Sequence, residues 1–446
     1  MSLTSYPRYR PSGVEWLGEL PEHWEVKRLK YSASINDEAL PKSTDPALEM
    51  VYVDIGSVDP VRGITRREEM FFEDAPSRAR RIVRDGDTIV STVRTYLRAI
   101  APIRDPEPNT IVSTGFAVVR PRRAAPNFVS YALREPGLVD AIVARSVGVS
   151  YPAVNASEIG TLPIPLPSDD EQRAIADFLD RETAKIDTLV ARKRTLIERL
   201  KEKRTALISR TVTRGLPPDA ASRAGLDPHP KPKPSGVEWL GAVPEHWEVK
   251  RLKYSASIND EALPESTDPD LEIVYVDIGS VDPIRGITRR EEMFFEDAPS
   301  RARRIVRDGD TIVSTVRTYL RAIAPIRDPE PNTIVSTGFA VVRPRRAAPN
   351  FVSYALREPG LVDAIVARSV GVSYPAVNAS EIGTLPIPLP PDDEQRAIAD
   401  FLDRETSGID QMVSTVEAAI ERLQEYRCSL ITAAVTGKID VRGASA

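Results

Sequence analysis

Cysteine is almost missing from this chain. Cys428 stands alone among 446 residues, so no disulfide can form within the chain, and a reducing, cytoplasmic setting is expected. Histidine is nearly as scarce. His23, His229 and His246 have neither a cysteine nor a second histidine at metal-ligand spacing, so the sequence gives no signal for a metal centre. No apolar run reaches the roughly 18–20 residues that a membrane span needs. The opening MSLTSYPRYRPSG lacks the apolar core of a signal peptide. Glycine-rich phosphate loops, the dinucleotide turn and the nucleophile elbow are all missing. These absences argue against an enzyme with its own cofactor, metal or nucleophile. Asp169, Asp170 and Glu171 form a carboxylate run, but they open a helical pattern and read as a cap and dipole partners.

What the chain has in excess is itself. Residues 11–183 recur at 234–406 without a gap. Seven positions differ: Glu19→Ala242, Leu20→Val243, Lys42→Glu265, Ala47→Asp270, Met50→Ile273, Val61→Ile284 and Ser168→Pro391. Two copies of one surface suit a target that presents one feature twice, and duplex DNA with an inverted-repeat site is such a target. A tandem duplication without a symmetric ligand fits the repeat equally well. The net charge of −5 is unhelpful to DNA binding, yet charge is unevenly spread. Between Pro76 and Arg104 stand Arg78, Arg80, Arg81, Arg84, Arg94, Arg98 and Arg104 against only Asp85 and Asp87. A basic face and an acidic face are expected, and arginine's planar fork suits phosphates and guanine edges.

Each repeat divides into a globular part and a long helix. Met50–Ile55, Thr88–Val93 and Phe116–Arg120 read as short strands; 127–133 and 138–144 read as helices interrupted at Pro136-Gly137. The pattern predicts an α+β domain with a curved sheet. After the prolines of LPIPLP, a helix runs for about 40 residues, roughly 60 Å. Ile175, Leu179, Ile186, Leu189, Val190, Leu196, Ile197, Leu200, Leu207 and Ile208 form a coiled-coil seam, and the second copy keeps Ile409, Met412, Val413, Ile420, Leu423, Leu430 and Ile431. From 184 onward the copies diverge. Residues 184–214 hold ten basic residues against Asp187, Glu198 and Glu202, while 407–437 hold Arg422 and Arg427 against Asp410, Glu417, Glu421 and Glu425. Opposite charges beside the seam are expected to pair the two helices with each other and to disfavour self-pairing of a half-length fragment, 1–233. Residues 214–233, rich in proline, read as a linker.

The segments PSGVEWLGELPEHWEVKRLK and PSGVEWLGAVPEHWEVKRLK, DGDTIVSTVRTYLRAIAP, LPIPLPSDDEQRAIADFLDRETAKID and its second copy, and the ending ITAAVTGKID resemble the specificity subunits of type I restriction-modification systems. The resemblance covers essentially the whole chain, twice. It implies two target-recognition domains (1–167 and 234–390) and two antiparallel spacer helices (168–213 and 391–436). These are joined by the 214–233 linker and followed by a 437–446 tail, in a pseudo-two-fold arrangement. It implies double-stranded DNA, two methyltransferase subunits and restriction subunits as partners. S-adenosylmethionine, ATP and Mg would then sit on those partners and none in this non-catalytic chain. In the family the two recognition domains generally differ. Here they are the near-identical part, which predicts an interrupted palindrome. A stand-alone DNA-binding regulator and a two-fold protein-binding scaffold remain alternatives.

Candidate base-reading residues cluster on or just after a strand: Ser91, Thr92, Arg94, Tyr96 and Arg98, with twins Ser314, Thr315, Arg317, Tyr319 and Arg321. A second candidate loop holds Arg145, Ser150, Tyr151 and Asn155, with twins Arg368, Ser373, Tyr374 and Asn378. Arg78, Arg80, Arg81, Arg84, Arg120, Arg122 and Arg123 are expected at phosphates, as are Arg301, Arg303, Arg304, Arg307, Arg343, Arg345 and Arg346. His23 and His246 are expected to pack beside Trp24 and Trp247.

Overall fold

A computed structural model describes residues 4–148, 151–371 and 375–443. The chain forms two compact units, 1–193 with 418–446, and 194–417. Each unit therefore holds one globular domain, the start of that domain's own long helix and the end of the other repeat's helix.

In the first domain one sheet has the order Ile100–Pro102, Thr88–Ser91, Phe116–Pro121, Ala33–Ile35. A second has the order Glu68–Phe71, Glu49–Val53, Thr110–Ser113, Ala79–Ile82, with its Glu49–Val53 and Thr110–Ser113 strands parallel. The curved sheet expected from the sequence is thus two four-stranded sheets, accompanied by two-stranded ones. The reason lies in the strand Phe116–Pro121, which is apolar at successive positions because both its faces are covered. Phe116 and Val118 join Val53, Ile89, Ala101 and Val112 on one side. Ala117 and Val119 join Val90, Val129, Leu133, Leu138 and Ile142 of the helical side. Period-two alternation therefore separates two cores rather than core from solvent. The helices are Pro126–Leu133 and Pro136–Ala144, and Pro136 starts the second of them, where its missing N–H costs nothing. The second domain repeats this arrangement strand for strand.

The long helices run Asp169–Arg214 and Asp392–Val435. Ser168 and Glu171 exchange side-chain and main-chain bonds at the first helix start, whereas Pro391 stands at the equivalent place in the second copy. Glu171 also lies 2.9 Å from His23 Nε2, so His23 is a hydrogen-bond partner of the helix start besides standing next to the buried Trp24 in the chain. Its carboxyl is held below the usual range by His23, against the opposing effect of burial. The domain is fixed to its helix by Asp180, which accepts from Arg104 (2.7 Å), Asn127 (3.0 Å) and Tyr131 (2.7 Å). Asp403 does the same with Arg327, Asn350 and Tyr354. Asp180→Ala removes the acceptor of three donors and is expected to cost about 2–3 kcal/mol in urea denaturation. An unchanged transition would show that the joint does not depend on it.

The seam differs from expectation in composition. Ile175, Leu179, Ile186, Val190, Ile197 and Ile208 are buried, but Leu189, Leu196 and Met412 lie on the exposed flank. Arg204, seven residues after Ile197, takes a seam position and is 8% exposed. In the second unit it forms a fork with Asp410 (2.9 and 3.4 Å). In the first unit Arg427 forms the same fork with Asp187 (3.0 and 3.4 Å). Within the first unit Glu171 also approaches Arg442, so the helix segments there run antiparallel. Arg204 and Arg427 are repeat twins, as are Asp187 and Asp410. The ion pairs between helices thus use charges common to both copies. The diverged charges do other things: Lys201 pairs with Glu198 in its own helix, and Glu417 pairs with Arg285 of the second domain. The expectation that diverged charge pairs the helices is corrected accordingly. The 214–233 segment is also more ordered than a plain linker, with a helix Pro218–Arg223 that buries Ala220 beside Trp247.

Candidate nucleic-acid interface

The strand Thr88–Ser91 of the helix-facing sheet delivers the chain to a tight turn. Ser91 and Thr92 are buried and bond main-chain carbonyls, Ser91 that of Val93 and Thr92 that of Gly115 (2.9 Å). They shape the turn rather than face outward. Gly115 leaves room there, since a Cβ would stand 2.8 Å from Ile55 Cδ1 and 3.1 Å from Val93 Cγ2 and would push both side chains aside. The turn itself is a single 3-10 turn, Thr95–Leu97, bounded by Arg94 and Arg98 in the left-handed region at φ 50° and 51°. Non-glycine residues held in this region cost about 1–2 kcal/mol each. Arg317 and Arg321 repeat the geometry at φ 50° and 53°.

The two candidate loops of the sequence meet. Arg94 N–H donates to Pro152 O (2.8 Å), Val154 N–H to Thr92 O (2.9 Å), and the Thr95 and Ser146 hydroxyls lie 2.7 Å apart. The Arg94 guanidinium lies over the Tyr151 ring at 5.0 Å. Tyr96, Leu97, Val147 and Tyr151 are all exposed. Arg98 is paired with exposed Asp140 at 2.6 Å, and Arg145 reaches Glu158 O and Thr161. Asn155 forms a capping box with Glu158, so it shapes the helix start that follows. Asn378 does the same with Glu381, and Arg368 reaches Glu381 O and Thr384. Ser314 and Thr315 are buried like their twins, and Tyr319 is exposed. Ser150, Ser373 and Tyr374 lie outside the described residues.

The arginines expected at phosphates separate into groups. Arg301 lines one open cleft of about 470 Å³ with Arg317, Asp277, Ser336 and Thr337, so it belongs with the turn. Its twin Arg78 donates to Tyr52 Oη (3.2 Å) and faces Asp54 at 3.8 Å. Arg80 stacks on Phe72 and Arg303 on Phe295. Arg81 and Arg304 are half-buried in edge strands. Arg84 is clamped by Glu38, and Arg307 by Glu261. Arg120 lies in the domain interior on buried Asp87 and on Glu38, as does Arg343 on Asp310 and Glu261. The bonds from Arg84 and Arg120 hold the Glu38 carboxyl down at about 2. Arg122 and Arg345 pair with Asp37 and Asp260, while Arg123 and Arg346 are exposed. Sequence reasoning missed Leu97 and Val147, whose exposure appears only once the two loops are brought together.

Among the described residues no cluster of His, Cys, Asp and Glu could hold a metal ion, and no helix is long and apolar enough to cross a membrane. A family model described as the type I restriction modification DNA specificity domain matches twice, at 21–199 and 244–422. The putative type I restriction enzyme MjaX specificity subunit of Methanocaldococcus jannaschii is 24% identical over 96% of each chain. The type I restriction enzyme EcoDI specificity subunit of Escherichia coli is 21% identical over 72% of each. A chain solved in work on complex assembly and conformational transition of the type I R-M system superposes with a TM-score of 0.62. That chain is 25% identical, and the match covers 93% of this chain and 98% of that one.

Proposed function

Because the chain belongs to the type I restriction-modification DNA specificity family, we propose that its two domains read inverted copies of one short sequence on either side of an unread spacer. One observation carries this reading. None of the seven differences between the repeats falls in the turn 92–98 or the loop 145–155, so both halves present the same groups. Arg94, Tyr96, Arg98, Arg145 and Tyr151, with their twins, are the proposed base-edge contacts; Arg78, Arg80 and Arg123, with theirs, are the phosphate contacts. Arg84, Arg120 and Arg122 hold the domain together instead, since their partners Glu38, Asp87 and Asp37 are at most 30% exposed, whereas Asp140, the partner of Arg98, is 61% exposed and can release it to DNA. The chain is non-catalytic in this reading. Two methyltransferase subunits supply S-adenosylmethionine chemistry, restriction subunits supply ATP- and Mg-dependent chemistry, and the complex works in the cytoplasm.

Mapping methylated sites across the genome of cells carrying the system tests the reading. The expected result is an interrupted palindrome, with the same bases on both sides. Two different half-sites would overturn it.

A further inference from the structure

We propose that Leu97, with its twin Leu320, reads the 5-methyl group of a thymine in each half-site. The inference rests on the base-reading role of the Thr92–Arg98 turn and adds to it a residue and a chemical group. Leu97 is 39% exposed and Leu320 likewise 39%, each held between two left-handed arginines. The turn cannot roll the leucine inward, because Thr95 is buried and tied to Ser146. Val147 stands on the adjoining hairpin at 81% exposure, bridged to Ala153. The surface thus alternates cationic forks with apolar groups. A surface that met phosphates alone would gain nothing from Leu97. The major-groove edge of duplex DNA offers one apolar group, the thymine methyl, set among the acceptors O4, O6 and N7. Arginines flanking a leucine match that order of donors and apolar contact. A protein partner would instead favour a continuous apolar patch, whereas Arg94, Arg98 and Arg145 break this one up.

The test uses the full chain with its co-purified methyltransferase subunits and two randomised duplex pools, one made with dTTP and one with dUTP. Bound duplexes are sequenced. A thymine is expected at the same place in both half-sites from the first pool, with its enrichment lost from the second. On the selected duplex, replacing that thymine by deoxyuridine should weaken binding about fourfold per half-site, the worth of one buried methyl. The Leu97→Ala, Leu320→Ala double variant should recover the relaxed motif from the first pool while keeping every other position, which also shows that it is folded. Identical motifs from both pools, or a deoxyuridine effect that the variant does not reproduce, would overturn the inference. Failure of the wild-type complex to select any motif would overturn the base-reading role beneath it.

Discussion

Replacing Arg94 and Arg317 together by glycine is expected to abolish site choice while leaving the protein as stable as before, or more so. Both residues sit at φ 50°, where a side chain is strained and glycine is not. Relief of about 1 kcal/mol at each position should raise the melting temperature slightly. Recognition should move the other way. A guanidinium placed on a guanine edge is worth about 1–3 kcal/mol, so each half-site loses about 5- to 150-fold and the two losses multiply. Fluorescence anisotropy on the selected duplex and on a scrambled one, at one fixed salt concentration, reads the ratio that matters. Nonspecific affinity should change little, because it follows the phosphate contacts. Stability that rises as specificity falls is the mark of strain retained for recognition. A double variant that still prefers the selected duplex would remove the turn from the interface. Changing Arg123 and Arg346 to alanine should instead weaken both duplexes alike and flatten the salt dependence by about one unit per side chain.

Much of the architecture was readable from the sequence because it rests on local patterns. The strands at 49–53, 88–91 and 116–121, the two short helices and the start of each long helix lie within a residue or two of their expected places. What the pattern hid were features that depend on partners distant in the chain. Arg120 reads as a phosphate contact because Asp87 and Glu38, which engage it, lie 33 and 82 residues away in sequence. The alternation of Phe116–Val119 does not reveal two cores, since both faces are apolar and only a second layer separates them. Arg204 was hidden by its residue type. Its heptad distance from Ile197 was the available signal, but a charged residue at a seam position is read as surface unless a partner such as Asp410 is known. Leu97 was hidden for the opposite reason, because a leucine is read as core.

A fragment of residues 1–233 is expected to form a homodimer, contrary to what the diverged helix charges suggest. In the intact chain Asp187 is joined by Arg427, and Arg204 by Asp410. The fragment carries Asp187 and Arg204 on one helix, and they are the twins of Asp410 and Arg427. Two fragments in antiparallel register can therefore make the same fork twice, over the same seam of Ile186, Val190, Ile197 and Ile208. The opposing influence is repulsion among Arg192, Arg199, Lys203 and Arg210, which all lie on exposed positions. Exposed repulsion is screened by salt, with a Debye length near 8 Å at 0.15 M, while the half-buried forks are screened less. Sedimentation equilibrium should accordingly show a dimer at micromolar concentration that tightens as salt is raised. Arg204→Ala in the fragment deletes both forks at once. Each fork is intermediate between exposed and buried pairs, so the loss should be about 2 kcal/mol per fork, or roughly a thousandfold in dimer affinity. Arg192→Ala should have the reverse effect at low salt by removing repulsion alone. A fragment that stays monomeric at every salt concentration would show that the diverged charges, rather than the shared forks, decide which helices meet.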